Sequence, residues 1–327
     1  MSLRASILAT GSYVPARTLS NEDLEKMVDT SDEWITTRTG IKNRHISGAG
    51  EYTSVLASRA AENALVAAGL ASSEIDILIV ATVSAEMTMP SCACLVQNEI
   101  GAVNAFAFDV NAACSGFLYA LSVAEKHILV NPQLKILVIG AETLSTRVDW
   151  QDRNTCVLFG DAAGAVVLGS SEQGDGLIAE KLFSDGSLHN LLYMDGAQSL
   201  NPALNNGEYQ GSFIKMVGKD VFKYAVNAME NAVRVVLGQA GVDIGEVSLI
   251  VPHQANIRII NKLTQKLGVD AEKVYINVSK YGNTSAATIP LALDEANREG
   301  LLQSGEYIVL CAFGSGFTWG ATLIKWQ

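Results

Sequence analysis

The sequence predicts an α/β protein in which a largely parallel sheet is covered by helices on both faces, with the same theme laid down twice along the chain. Three observations predict this. Short apolar runs bounded by polar or glycine residues alternate with longer Ala-rich stretches, as buried strands separated by helices do. Hydrophobic residues make up 49% of the chain and charged residues 17%, which suits buried sheets and argues against disorder. The length of 327 residues is about twice an ordinary domain of roughly 150.

The elements follow in order. The opening MSLRASILATGSYVP has one early arginine and a short apolar run that ends in turn residues, so it reads as a first strand and not as a signal peptide. Helical patterns at 52–69, 90–101 and 115–130 alternate with strands at 75–82, 105–110 and 135–142. Such alternation implies parallel strands covered on both faces. A long amphipathic helix is expected from about 218 to 240, where Val221, Phe222, Ala225, Met229, Ala232 and Val233 fall near one face. Strands at 247–254 and 306–313 and helices at 256–267 and 284–298 complete the second half. IDILIVATVSA (75–85) and VSLIVPHQA (247–255) look equivalent. So do KILVIGAE with AGAVVLGS (163–170), and EYIVLCAF with WGATLIKW (319–326). These pairs suggest an internal duplication about a pseudo-twofold axis.

Charge narrows the partners. The formal net charge is −11, which disfavours non-specific binding to nucleic acid. Any anionic partner must therefore be met by a local basic patch. No segment reaches the ~18 uncharged apolar residues of a membrane span. A soluble, cytoplasmic protein with neither nucleic-acid nor membrane partners is expected. The five cysteines, at 92, 94, 114, 156 and 311, form no CxxC pair and have no histidine at zinc spacing, so reduced thiols and no metal site are expected.

One of those thiols has a distinctive address. In AFAFDVNAACSGFLYAL (105–121) a strand ends near Val110, small residues follow, and Cys114 opens a helix. A thiol in the first turn of a helix meets unpaired N–H groups and the positive end of the dipole, a setting that lowers thiol pKa values. The alternative is a small buried core residue. His253, in LIVPHQAN, stands at the carboxyl end of a strand, where α/β folds place ligands; a histidine bonded to backbone is the plainer reading. Asn283, in YGNTSAA, precedes a helix and on its own is simply a good cap. Gly314-Ser315-Gly316 directly after a strand either turns the chain or leaves N–H groups facing a cavity.

Together, Cys114 in DVNAACSGF, His253 in VPHQAN, Asn283 in GNTSAA and the closing FGSGFTWG resemble the β-ketoacyl-acyl carrier protein synthase III family, and the likeness runs the length of the chain. The resemblance implies a thiolase-like five-layered αβαβα fold from two duplicated halves, 1–172 carrying the nucleophile and 173–327 carrying the histidine and asparagine. It also implies a homodimer and a ping-pong reaction. Cys114 would take the acyl group of acetyl-CoA or another short acyl-CoA. Malonyl-acyl carrier protein would then be decarboxylated, with His253 and Asn283 donating to the enolate oxygen and the backbone N–H groups of Cys114 and Ser315 forming a second oxyanion hole. The family usually has glycine where Ser315 stands, a change that a main-chain donor tolerates. No metal or redox cofactor is implied, acyl-CoA being a substrate.

The resemblance places Trp34, Arg38 and Arg153 at the nucleotide of CoA, and Gly218, Phe222 and Asn256 along the pantetheine channel. Ordinary packing and solvated surface are the plainer readings for these side chains. Arg258, Lys262 and Lys266 recur every four residues and form one stripe, and Lys219 and Lys223 repeat that spacing. A stripe of this kind is usually a solvated face, but in an acidic protein it suits an acidic carrier protein, and the resemblance singles out Lys223 and Arg258. Met89 matches the position at which a partner subunit closes the acyl pocket, implying short primers. Three rival readings are a same-fold synthase of secondary metabolism with another acyl donor, a Cys-His-Asn thiol hydrolase, and, ranked last because all the expected side chains are present, a non-catalytic binding or scaffold protein. The text around Cys114 and Asn283 disfavours the second.

Overall fold

The computed structural model describes residues 3–198 and 211–327. Two main sheets organise it. The first has five strands in the order Arg4–Tyr13, Asp161–Ser171, Ile136–Thr143, Ile77–Ala81 and Phe106–Val110. The second has four, in the order Val247–Pro252, Tyr307–Gly314, Thr318–Lys325 and Gly176–Ser184.

The same plan is used in both sheets. Ile77–Ala81 runs parallel to Ile136–Thr143, which is antiparallel to Asp161–Ser171, which is antiparallel to Arg4–Tyr13. In the second sheet Val247–Pro252, Tyr307–Gly314, Thr318–Lys325 and Gly176–Ser184 repeat that series of one parallel and two antiparallel pairs. The fifth strand of the first sheet, Phe106–Val110, is parallel to Ile77–Ala81. Its counterpart is a single parallel bridge from Ile250 to Val274. The sheets are therefore mixed, where the sequence led us to expect largely parallel ones. Only three residues separate Gly314 from Thr318, and so short a connection returns the chain beside itself antiparallel.

Helices fill three layers around these sheets. Thr53–Ala68 and Cys92–Glu99 cover the outer face of the first sheet, packing Leu56, Ala60, Ala64 and Val96 against Leu78, Val80, Leu137 and Val167. Gly116–Val130 and Thr288–Arg298 lie between the sheets. There Phe117, Leu118, Leu121, Ile289 and Leu293 meet Ile79 and Val138 on one side and Val251 and Leu310 on the other. Gly218–Ala240 and Ile257–Leu267 cover the outer face of the second sheet. The result is the five-layered αβαβα arrangement of the thiolase-like folds.

Local sequence explains these placements. Val221, Ala225, Met229, Ala232, Val233 and Val236 form the buried stripe of the 23-residue helix, spaced to fall on one face. Phe222, expected on that face, is only half-buried and borders a cavity. Phe117, Leu118, Leu121 and Ile128 are fully buried in the central layer. At ~1.5–3 kcal/mol each, their burial contributes on the order of 10 kcal/mol, an upper value, to anchoring the helix behind Cys114. The central layer also sits tight on the first sheet. A Cβ on Gly140 would stand 2.2 Å from the Ala286 carbonyl oxygen, so the strand can pass beneath that turn only as glycine.

Candidate active site

Cys114 lies in a one-turn 3-10 segment, Ala113–Ser115, that leads into the Gly116–Val130 helix. The helix proper starts two residues later than the sequence suggested. Ala113 adopts a left-handed φ of 46°, and the turn is bolted to the end of the second sheet. The Ser115 hydroxyl donates to the Thr318 carbonyl at 2.9 Å, and the Thr318 hydroxyl donates to the Ala112 carbonyl at 2.9 Å. A Cβ on Gly314 would stand 2.7 Å from the Cys114 nitrogen; glycine there lets the strand end press against the backbone of Cys114. Ser315 follows at the same crossing, and its side chain turns away to donate to the Leu192 carbonyl.

His253 follows the last residue of the Val247–Pro252 strand, and its N–H donates to the Cys311 carbonyl at 2.8 Å. Its Nδ1 lies 2.7 Å from the Thr288 hydroxyl, which is itself 2.9 Å from the Ser285 carbonyl. The one hydrogen on Thr288 thus has two claimants. Given to Nδ1, it leaves Nε2 as the protonated, donating nitrogen. Asn283 is tied down by its N–H to the Leu158 carbonyl at 2.8 Å, and its Oδ1 accepts from the Ser285 N–H at 2.8 Å. The cap-like bond expected of an Asn in this place is therefore present, and it engages the oxygen, which leaves the Nδ2 donor as the free end.

These three side chains, far apart in the sequence, line one cavity of about 1020 Å³. Phe313, Ser285 and Ser315 line it with them. Cys114 and His253 are 8% and 3% exposed, and burial dominates their titration. It pushes the Cys114 thiol up to about 12; the negative charge of Glu142 adds to this, while the Ser285 hydroxyl and the residue's own N–H act the other way. The helix-terminal position had suggested a lowered value, but desolvation of the thiolate outweighs it. Burial also holds His253 down to about 3, so the imidazole is neutral. It is a donor or acceptor of hydrogen bonds here and not a reservoir of protons.

One part of the cavity lining gathers an indole and guanidinium groups. Trp34 lies beneath two guanidinium groups, with Arg38 4.7 Å and Arg153 5.1 Å from its ring centroid. Trp34, Arg38, Gly218, Phe222 and Asn256 all line the cavity; Arg153 stands outside the lining and donates to the Asp29 carbonyl at 2.8 Å. Asn256 caps the Ile257–Leu267 helix through its side-chain oxygen. Arg258 sits 5.8 Å over the Phe222 ring.

The basic stripe divides into two parts. Among the described residues Lys223, Arg258 and Lys262 meet no carboxylate at ion-pair distance, whereas Lys266 pairs with Glu230 at 2.7 Å. Lys219 borders the cavity itself. Met89 is 84% exposed and lies outside the cavity lining of the single chain. Among the described residues no cluster of three His, Cys, Asp or Glu side chains could hold a metal ion, and no helix is long and apolar enough to cross a membrane.

Sequence reasoning overlooked Ser285, Thr288 and Glu142. Ser285 and Thr288 were in view within GNTSAAT, two and five residues after Asn283. The signal for Glu142 was an acidic residue directly after the apolar and glycine run ILVIGA in KILVIGAE.

Comparison with known proteins agrees with this geometry. The family models described as 3-oxoacyl-[acyl-carrier-protein (ACP)] synthase III and its C-terminal part match residues 108–186 and 237–326. The chain is 56% identical to the β-ketoacyl-[acyl-carrier-protein] synthase III of Desulfotalea psychrophila over 98% of this chain and 99% of that one. The solved 3-oxoacyl-[acyl-carrier-protein] synthase III of Aquifex aeolicus superposes with a TM-score of 0.92 at 49% identity, covering 98% of this chain and 100% of that one. The priming β-ketosynthase of the R1128 polyketide biosynthetic pathway gives 0.91 at 34% identity, covering 99% and 96%. Full-length identity at this level, with thiol, imidazole and carboxamide gathered in one cavity, makes the chain a member of the β-ketoacyl-acyl carrier protein synthase III family of condensing acyltransferases.

Proposed function

We propose that the protein joins a short acyl-CoA, acetyl-CoA foremost, to malonyl-acyl carrier protein by decarboxylative Claisen condensation, the priming step of fatty acid synthesis. The single observation carrying this reading is the convergence of Cys114, His253 and Asn283 on one cavity. The sulfur of Cys114 attacks the acyl-CoA carbonyl, and the electron pair of the broken C–S bond leaves with CoA. The malonyl thioester then loses CO₂. Nε2 of His253 and Nδ2 of Asn283 donate to the enolate oxygen that develops, and the enolate carbon attacks the acyl thioester. Backbone N–H groups of Cys114 and Ser315 stabilise the resulting tetrahedral oxyanion. No step needs a metal or a redox cofactor.

The arginine-flanked indole of Trp34 suits the adenine and phosphates of CoA, with Gly218, Phe222 and Asn256 along the approach. Lys223, Arg258 and Lys262 offer unpaired charge to an acidic carrier protein; Lys266 contributes less, being held by Glu230. A homodimer fits the open edge of the Phe106–Val110 strand, where Phe106 is 54% and Val103 75% exposed. In that dimer Met89, more exposed than either, would reach the partner's cavity and limit primer length. The lower identity to the polyketide priming enzyme favours the fatty acid reading over secondary metabolism. Incubation with acetyl-CoA and malonyl-acyl carrier protein tests all of this: acetoacetyl product is expected, and none from Cys114→Ala. Loading of long chains alone, or acyl-enzyme hydrolysis without decarboxylation, would refute the assignment.

A further inference from the structure

The resting thiol poses a problem that the three converging side chains do not solve. Cys114 must lose a proton as it attacks from a buried position, and the neighbouring imidazole is held neutral by burial. The fold supplies another acceptor. Gly140 and Glu142 are two residues apart on one strand and so face the same side of the sheet. Gly140 lies hard against the Ala286 carbonyl, which puts the fully buried Glu142 beneath the Ser285–Ala287 turn. Ser285 is held there with a left-handed φ of 48°, an uncommon and costly conformation for serine. Its hydroxyl is buried without a hydrogen-bond partner, in a side chain that lines the cavity beside Cys114 above the Glu142 strand, and it favours the ionised form of both the thiol and the carboxyl.

We propose that Glu142 receives the Cys114 proton, passed through the hydroxyl of Ser285. This rests on the reaction proposed above. As Sγ bonds to the acyl carbon, its proton moves to Ser285 Oγ, and the serine's own proton moves to a carboxylate oxygen of Glu142. The C–S bond to CoA breaks, and the CoA sulfur keeps the electron pair and takes a proton from solvent. In the condensation half, the new C–C bond forms as the acyl–Sγ bond breaks, and the sulfur recovers its proton from Ser285, resupplied by Glu142. Nothing is oxidised or reduced. Glu142 carries the proton only while the acyl-enzyme exists.

The surroundings suit the task. The Glu142 carboxylate accepts from the Val83 N–H at 3.1 Å, the Thr82 hydroxyl at 3.1 Å and the Ser84 hydroxyl at 2.5 Å, bonds that hold it in place. Burial raises it to about 7 against these bonds, close to the working pH at which a general base is most effective. Its charge acts on Cys114 and on Cys92, and Cys92 is also under the influence of Glu86 and Asp109. Among the described residues no lysine, arginine or histidine pairs with it.

Quenched mass spectrometry of acetyl-enzyme formation, from about pH 5.5 to about pH 9, tests the relay with wild type, Glu142→Gln and Ser285→Ala. Wild-type acylation should rise through an inflection near 7. Both variants should acylate ~10²-fold more slowly and lose that inflection. Ser285→Ala removes a hydroxyl that the fold does not use, so it decides the matter if Glu142→Gln fails to fold. A Glu142 acting only as a static charge predicts the reverse, because removing that charge lowers the thiol pKa and speeds acylation. Faster or unchanged acylation in the variants, with the inflection retained, overturns the relay alone. A wild type that never forms an acetyl thioester on Cys114 overturns the functional reading as well.

Discussion

Replacing Asn283 with aspartate separates its two ends. In the folded protein Oδ1 accepts from the Ser285 N–H at 2.8 Å, and Nδ2 is the end left for substrate. Asn283→Asp keeps an oxygen for that N–H and exchanges the donor for a carboxylate. Loss of one donor at a developing oxyanion costs ~2.7–4 kcal/mol, or ~10²–10³ in rate, and a negative charge beside the enolate adds to the loss. Asn283→Ala loses the donor and the cap-like acceptor together, so it should also lose about 0.5–2 kcal/mol of stability. Two readouts check this: acetyl-Cys114 by mass spectrometry and release of CO₂ from malonyl-acyl carrier protein. Both variants should load acetyl normally and release CO₂ at least ~10²-fold more slowly. The aspartate variant should recover part of its rate as acidification protonates the carboxyl and restores a donor. Decarboxylation at the wild-type rate in either variant would refute the donor role. Failure to acylate would refute the division of labour between the two half-reactions.

Three further outcomes are expected. Thr288→Val removes the hydroxyl 2.7 Å from His253 Nδ1 and should slow condensation ~10-fold or more with acylation spared, whereas Thr288→Ser should restore it; half-reaction kinetics on both variants check this. Charge reversal at Lys223 or Arg258 should raise KM for malonyl-acyl carrier protein several-fold, most at low salt, while Lys266→Ala, which removes a lysine already paired with Glu230, should change it little. The His253 pKa is depressed from 6.5 to about 3 in the fold, so between those values the unfolded chain binds the extra proton and stability falls as pH falls. Urea unfolding should show wild type losing up to about 1.4 kcal/mol per pH unit more than His253→Gln across that window. The raised Glu142 acts in the opposite sense above about pH 4.5, and comparing the variant with wild type cancels its contribution.

The strands and helices were legible because burial imposes a period on the sequence. IDILIVAT, KILVIGAE and EYIVLCAF lie within a residue or two of strands Ile77–Ala81, Ile136–Thr143 and Tyr307–Gly314. Among the longer elements, two escaped. The Gly176–Ser184 strand is an edge with charged Glu180 and Lys181 in its middle, and the Asp32–Thr39 helix is too polar to show a face. Cys114, His253 and Asn283 were legible because their residue types and strand-end or helix-start addresses coincide in one family pattern. The thiol's ionisation was not, since the sequence shows the helix terminus but not the desolvation that overrides it. Nor was the state of Lys266, whose partner Glu230 comes from another helix 36 residues earlier.

The duplicated plan gives a physical reason for where the site forms. Each half leads into a central helix through a one-turn 3-10 segment, Ala113–Ser115 and Ser285–Ala287, and each segment begins with a non-glycine residue in the left-handed region, at 46° and 48°. Ile77 pairs with Ile136 as Leu249 pairs with Ile308, a register that makes Glu142 the counterpart of Gly314 and Ala81 the counterpart of His253. One strained turn presents Cys114 and has Gly314 against its backbone. The other follows Asn283 and has Glu142 beneath it. Two turns of equal shape thus face each other across the central layer, and the chemistry lies in how their residues differ. Strain in a turn of this kind costs on the order of 1–3 kcal/mol, more than either turn could sustain alone. It is borne by the apolar central layer in which Phe117, Leu118, Ile289 and Leu293 lock both helices between the sheets. Truncating that layer should therefore impair both half-reactions at once, unlike any change at Asn283 or Thr288.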